Sequence, residues 1–534
     1  MSRVFSLLTT AMNAWIAGDI PLTQRIQQLL SSNAPPLESE TPSIHLVETA
    51  IQARIARVDG ELAVLAAHQA QLEATRASLL LEYQSIRGLL SPLRRFPTEL
   101  LAEVFKASVL PQSRSTRGLD RSMDLRNGPW SLMHISSWWR SVALATPAIW
   151  TCIRSNFHGD SAQPYPLHLL QAHAGHAVEL HVDFGASEVC DLSPQIAAFS
   201  ALAEHSAKWL ELKINLIPEI YLLLNDLMGQ VPSLRRASIG WNGPLDELSS
   251  IVFMENAASL VDLALYNAAQ YRQIHAPFSN LTRYDLMVPW TTHRDILKQA
   301  SCLVEARLLT SEADVEALGW PGPEREIALL RLRRLYVSHG DILDKIHAPK
   351  LSEITYEHFN PADLSTSEHL ESLVAFSSCS LSCICLTGDP SSEAAIVVLQ
   401  KFANISELRM LWVDENGEEE VGALFSALMG DVGFGPLAPS LVSLSLGWDH
   451  WVYLDDDPQD FDLLEKMFIA RSKAPECALR RVELFRSSRN WTIPEELLAS
   501  IAELAAEGKE MVFLAGKPAE ALIDFYDLSG GYWL

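Results

Sequence analysis

Three groups of side chains in this sequence could bind a metal or move a proton, and a fourth is dense in tryptophan. Cys379, Cys383 and Cys385 share the segment CSLSCIC. A zinc site calls for paired C-x-x-C ligands with a second pair nearby, and neither is present. Alternation along an extended chain instead predicts strand cysteines, with Cys383 and Cys385 on outward positions. His168, His173, His176 and His181 contain no helical i, i+4 ligand pair and read as solvated loop histidines. The acidic runs DENGEEE (414–420) and DDD (455–457) lack the alternating oxygen spacing and terminal glutamate of a calcium loop, so they too read as solvated. With no G-x-S-x-G, P-loop or dinucleotide fingerprint, the expectation is no catalytic residue, no metal site, no cofactor and no enzyme.

The tryptophans lie in SLMHISSWWRSVALATPAIW, residues 131–150. Leu132, Ile135, Trp139 and Val142 fall three and four apart, which predicts one apolar helix face carrying Trp139. Trp138 lies about 100° around that helix, at its edge. Thr146 and Pro147 end the helix before Trp150. Upstream, SPLRRFPTELLAEVF (91–105) predicts a helix opened by Pro97, whose missing N–H costs nothing in a first turn. Its apolar face is Leu100, Leu101, Val104 and Phe105. Residues 111–130 are polar and rich in breakers, hence a loop.

Around these segments lie longer periodic stretches. SSNAPPLESETPS (31–43) is a linker. Beyond it Ile51, Ile55, Val58, Leu62, Leu65, Gln69, Leu72, Arg76, Leu79, Tyr83, Ile86 and Leu90 alternate spacings of four and three, a heptad seam interrupted by Gln69 and Arg76. Such a helix can dimerise, fold back or extend alone. From about residue 165 the phrase L-x-x-L-x-L recurs, as in Leu260/Leu263/Leu265, Leu281/Tyr284/Leu286, Leu303/Ala306/Leu308 and Leu332/Leu335/Val337. Copies recur roughly every 20 to 30 residues, the period of leucine-rich repeats. Each copy predicts a strand whose last two apolar residues point inward, so that stacked copies bury a common ridge. PEIYLLLNDLMGQ and EEEVGALFSALMG supply helices between copies. The fold class is α/β, an irregular leucine-rich-repeat solenoid after an N-terminal long helix and a small helical domain. Segments divide as 1–43, 44–90, 91–155 and 165–534.

The positions between the inward residues form an outward row: Lys213, Ser238, Ala264, Asp285, Arg307, Tyr336, Thr355, Cys385, Arg409, Ser445 and Glu483, flanked by Tyr266, Met287, Leu309, Leu411 and Phe485. Solenoids commonly bind partners on such a concave strand face, and aromatic and long apolar residues suit a protein interface. Lys213, Tyr266, Asp285, Met287, Arg307, Leu309, Tyr336, Arg409, Leu411 and Phe485 are therefore the candidate substrate-binding residues.

The chain has 534 residues, enough for three domains or a long repeat array, and its hydrophobic fraction of 48% fits a folded protein. Sixty-six acidic residues against 41 basic give a formal charge of −25, which argues against a nucleic-acid partner. Seven cysteines, an odd number, fit a reducing compartment, cytoplasmic or nuclear. The start, MSRVFSLLTTAMNAWIAG, reads as an amphipathic helix rather than a signal peptide, and no segment approaches the ~20 apolar residues of a membrane span.

The phrase LRRFPTELLAEVF followed by ISSWWRSVALATPAIW resembles the F-box, in particular the F-box-like domain abundant in mushroom-forming fungi. Phe96, Pro97, Glu99, Leu100 and Leu101 match its first half; Ile135, Ser136, Trp139, Arg140, Pro147 and Trp150 match its second. A heptad helix before the motif and repeats after it are typical of that group. Phenylalanine replaces the usual leucine before the proline, and the loop between the halves is long. The resemblance implies docking on the Skp-family adaptor of a cullin-RING ubiquitin ligase, with the repeats capturing a protein substrate and all chemistry on other chains. It implies Leu93, Phe96, Pro97, Leu100, Leu101, Val104, Phe105, Ile135, Trp139, Val142 and Trp150 as adaptor-binding residues. A ligase-independent scaffold that dimerises through the heptad helix is the other reading.

Overall fold

The structure, a computed structural model, describes residues 24–32, 34–113, 128–157, 166–241, 249–266, 271–311, 315, 319–320, 327–358, 365–412, 421–430, 436–449, 458–487, 504–505 and 508–526. It divides into two compact units, Met1–Leu100 and Leu101–Leu534, the division falling inside one helix.

In the first unit, helix α1 (Gln24–Ser31) precedes α2 (Thr41–Leu89). The Glu40 carboxylate, just before α2, accepts hydrogen bonds from Arg25 Nε and the Leu37 N–H, each 2.9 Å, and so ties the two helices. Pro42 sits in the first turn of α2, where it is tolerated, and Ala, Leu, Glu, Gln and Arg make up most of the rest. The heptad stretch is thus one unbroken helix of 49 residues with no buried residue, so it does not fold back as a hairpin.

Helix α3 (Thr98–Ser113) begins directly after Pro97, as its sequence predicts. The tryptophan-rich segment is not one helix. Helix α4 (Gly128–Met133) and helix α5 (Ser137–Leu144) are separated by a turn holding Ile135, because Ser136 turns extended and its Oγ accepts the Trp139 N–H to start α5 afresh.

Fourteen parallel strands follow in strict chain order in one sheet. They are β1 (Cys152–Asn156), β2 (Leu180–Gly185), β3 (Trp209–Leu216), β4 (Arg236–Trp241), β5 (Asp262–Tyr266), β6 (Arg283–Met287) and β7 (Glu305–Leu309). The series continues with β8 (Arg334–Val337), β9 (Glu353–His358), β10 (Cys383–Gly388), β11 (Glu407–Trp412), β12 (Ser443–Trp448), β13 (Arg481–Arg486) and β14 (Glu510–Ala515). Every recognised leucine phrase lies on a strand of this sheet. The copies on β2 and β14 escape recognition in the sequence because Val182/Phe184 and Met511/Phe513 stand in for leucine. Sequential parallel stacking with one strand per repeat is a solenoid-like α/β architecture.

Backbone geometry repeats with the sequence. At the start of successive strands, two consecutive N–H groups donate to one carbonyl of the preceding repeat: Thr282 and Arg283 to Val261, Val304 and Glu305 to Thr282, Arg333 and Arg334 to Val304, Ser352 and Glu353 to Arg333. Hydroxyls reinforce these steps, with Thr282, Ser352, Ser382 and Ser406 each donating to the same carbonyl that its own N–H reaches. The inward rows, such as Leu263, Tyr284, Ala306, Leu335 and Ile354, are essentially sealed from water. Helices between strands include Pro218–Asn225 and Gly422–Met429, where the sequence predicts them. Buried Arg471, on the helix Pro458–Lys473, donates to the carbonyls of Leu428 (3.0 Å), Leu437 (2.7 Å) and Ala438 (2.6 Å), closing the end of Gly422–Met429.

Two histidines are core residues. His293, on the helix Trp290–Leu297, accepts at Nδ1 from the Tyr284 hydroxyl (2.8 Å) and donates from Nε2 to the Leu309 carbonyl (2.9 Å), joining β6 and β7 to their connecting helix. His173 is not a solvated loop residue: it lies in the helix Leu167–His176, edge-on to Trp150 at 5.0 Å. Burial pushes both pKa values down to about 4. The unfolded chain takes up protons near pH 6.5 that the folded chain refuses, so these groups favour unfolding progressively as pH falls from about 6.5 to about 4, and no further below that. His173→Phe should keep the ring packing and flatten this part of the pH dependence of the urea midpoint. An unchanged slope would contradict the buried neutral imidazole.

Candidate docking surfaces

Two surfaces carry the candidate residues: the helices around the tryptophan segment, and the outer face of the sheet. On the first, the structure separates the eleven candidates into a core and a surface. Phe105 on α3 stacks obliquely on Trp139 of α5 with ring centroids 5.0 Å apart. Trp150 donates its indole N–H to the Ala143 carbonyl at 2.9 Å and meets Trp130 edge-on at 5.2 Å. Leu101, Phe105, Val142 and Trp150 are at most 4% exposed, and Trp139 is half-buried. Reading the four buried ones as adaptor contacts is therefore corrected: their side chains already hold the helices together and offer a partner no surface.

The remaining candidates point to solvent. Leu93, Leu100, Val104 and Ile135 are each about half exposed although apolar, Pro97 is exposed and Phe96 is half-buried. Leu100 and Val104 stand one turn apart on α3, about 100° around the helix from buried Leu101 and Phe105. Arg140 braces α5 by donating Nε to the Met133 carbonyl at 3.1 Å.

On the sheet, the outward row has the register that the phrase predicts. Lys213 pairs with Ser238, Ser238 with Ala264, Ala264 with Asp285, Asp285 with Arg307, and Arg307 with Tyr336. From there it runs through Thr355, Cys385, Arg409 and Ser445 to Glu483. The strand-cysteine reading of Cys383 and Cys385 agrees with β10, and no metal-holding cluster occurs among the described residues. The acidic runs 414–420 and 455–457 lie outside the described residues.

Accessibility departs from the expectation. Asp285, Arg307 and Tyr336 are 2%, 1% and 1% exposed, and Leu309 is buried with them against half-buried Met287. They form a polar cluster: Tyr266 donates its hydroxyl to Asp285 Oδ2 at 2.8 Å, Arg307 Nη1 approaches the same oxygen at 3.4 Å, and the guanidinium lies 4.9 Å over the Tyr336 ring. Burial raises the Asp285 pKa against the opposing pull of Arg307 and Tyr266. Among the described residues, Asp285 Oδ1 and Arg307 Nε have no hydrogen-bond partner. Farther along, Leu411 and Phe485 are covered by the chain itself. Ala519 and Ile523 of the terminal helix Lys517–Tyr526 pack on them and on Cys385. Gly447 makes room: a Cβ there would lie 2.5 Å from Leu411 Cδ2 and 3.6 Å from Ile523 Cγ1. Asp285, Arg307, Leu309, Tyr336, Leu411 and Phe485 are therefore corrected to core residues. Lys213, Tyr266, Met287 and Arg409 remain half-buried at the surface.

A further row, unremarked in the sequence, crosses the strand starts. Glu211, Arg236, Asp262, Arg283, Glu305, Arg334 and Glu353 occupy one register level and alternate in sign. Arg283 bridges Asp262 (3.7 Å) and Glu305 (2.7 Å); Arg334 bridges Glu305 (3.2 Å) and Glu353 (3.0 Å). Arg236 reaches Glu211 (3.6 Å) and Asp262 (4.0 Å), and His181 extends the ladder on Glu211 at 2.9 Å. Asp262 is buried enough that desolvation outweighs both arginines and raises its pKa to about 6. The signal was present: these are the third residues of WLELKI, LRRASI, LVDLAL, LTRYDL, LVEARL, LRRLYV and LSEITY.

No protein family and no curated protein matches the chain. Among solved structures, it is similar to a chain of the crystal structure of a TLR13–ssRNA13 complex, at 12% identity and a TM-score of 0.29. The match covers 63% of this chain and 45% of that one, so this chain spans less than half of its neighbour's length. The class is set by the strand order itself: a mixed α/β protein with a long N-terminal helix and a large parallel, solenoid-like sheet.

The buried pair makes a direct prediction. Arg307→Ala leaves Asp285 with an uncompensated buried charge and should cost about 3–5 kcal/mol in urea unfolding, whereas Asp285→Leu with Arg307→Met should fall close to wild type. A small cost for Arg307→Ala alone would contradict the pairing.

Proposed function

We propose that the protein is the substrate-recognition subunit of a cullin-RING ubiquitin ligase, its F-box-like helices docking on a Skp-family adaptor and its repeat face holding a protein substrate. The observation that carries this reading is the exposed apolar pair Leu100 and Val104 on helix α3, with exposed Ile135 in the turn before α5, outside an interior locked by Phe105, Trp139 and Trp150. Apolar side chains standing out from a packed helical element are the anatomy of a docking face. They belong to the segments that resemble the F-box.

On this reading the chain does no bond-making. It holds its target near a ubiquitin-charged enzyme and raises the effective concentration of target lysines. Its place of work is the cytoplasm, the nucleus or both. The substrate face is narrower than the sequence suggests and centres on the half-exposed Lys213, Tyr266, Met287 and Arg409.

Leu100→Asp with Val104→Asp changes only exposed side chains and should leave the thermal midpoint unaltered while reducing adaptor capture from cell extract at least about tenfold, the loss expected when charge enters an apolar interface. Adaptor capture equal to wild type would refute the docking face. Adaptor absent from both samples would favour the ligase-independent scaffold.

A further inference from the structure

Among the described residues nothing covers the apolar seam of helix α2, and the charges beside the seam point to its occupant. In the heptad frame, the d positions are Ile44, Ile51, Val58, Leu65, Leu72, Leu79 and Ile86, all apolar. The a positions are Glu48, Ile55, Leu62, Gln69, Arg76, Tyr83 and Leu90. None of the residues in α2 is buried, and Leu65, Leu72, Leu79 and Tyr83 are about 60% exposed.

We infer that a second copy of this chain covers the seam, forming a parallel, in-register, two-stranded coiled coil over residues 44–90. In that arrangement each g residue faces the e residue five positions later on the partner. The pairs are Val47 with Gln52, Arg54 with Asp59, Glu61 with Ala66, His68 with Glu73, Thr75 with Leu80 and Glu82 with Arg87. Arg54/Asp59, His68/Glu73 and Glu82/Arg87 can be opposite in charge, and no pair is alike in charge. Five-residue separations do not meet on one helix, so this complementarity is between chains.

The polar a positions select the same alignment. In register, Gln69 faces Gln69, and the two amides can bond each other in place of the present bond from Gln69 Nε2 to Glu73 at 2.9 Å. An antiparallel pair would set Gln69 and Arg76 against apolar d residues, Leu65 and Val58 in the fullest overlap. Two Arg76 side chains also face one another, at a cost moderated by stems long enough to carry their charges out to water, as do two Glu48 near the start of the seam, each beside His45 at 3.1 Å. Leucines at d around these polar layers favour two strands over more.

The test uses the full chain. Light scattering after size exclusion should give the mass of two chains, and Leu72→Asp with Leu79→Asp should give one. A wild-type monomer, or three or more chains, overturns the inference. Leu72→Cys should form an interchain disulfide under mild oxidation beyond the wild-type background, because equivalent d positions meet only in a parallel, in-register pair. A dimer in which it fails to cross-link overturns the alignment. Glu82→Arg should weaken the dimer about tenfold, the free energy of two symmetric exposed pairs turned repulsive, and adding Arg87→Glu should restore it. Absence of rescue also counts against the alignment. These substitutions leave Leu100 and Val104 untouched, so a monomer that still binds the adaptor separates failure here from failure of the ligase reading.

Discussion

The structure depends on one constraint: each strand of the large sheet must be satisfied by the strand of the preceding repeat. A parallel strand has no hairpin to hold its partner close, so its backbone groups and its inward apolar pair must both find their matches in the neighbouring repeat. Paired N–H groups converging on one carbonyl at successive strand starts fix that match. The leucine ridge behind the sheet and the alternating ion pairs in front of it then fall at fixed levels. The ion pairs, mostly exposed at one end, add little individually, but a slip of one strand would break two of them at once and also turn the apolar residues outward.

A face fixed in this way is not automatically an open face. Tyr266, Asp285 and Arg307 close on each other in its middle, and the terminal helix seats on Leu411 and Phe485 over the glycine gap at Gly447. The same division of labour governs the helical segment, where Phe105, Trp139 and Trp150 are consumed by packing and the residues left for a partner are aliphatic. In both places the most conspicuous side chains are structural, and the surface available for recognition is made of less conspicuous neighbours.

Register was legible in the sequence because alternation in a strand is a local rule: Leu263 and Leu265 inward puts Ala264 outward, and the same rule carried to every recognised copy yields the observed row. The long helix was legible for the same reason. Burial was not, since whether Asp285 or Leu411 meets water depends on segments remote in sequence, such as Lys517–Tyr526. The charge ladder is not legible locally, because its members lie some twenty to thirty residues apart and none is distinctive alone. Ile135 stands off the helix face that its spacing to Trp139 predicts, because the Ser136 side chain caps a new helix and overrides that periodicity.

The account stands on a docking face formed by exposed aliphatic residues outside a locked aromatic core. Hydrogen–deuterium exchange of the full chain, with and without a purified Skp-family adaptor, tests it most directly. Protection should concentrate in the peptides containing Leu93 to Val104 and Ile135, while the sheet strands remain unchanged. Binding with protection elsewhere and none in those peptides would contradict it.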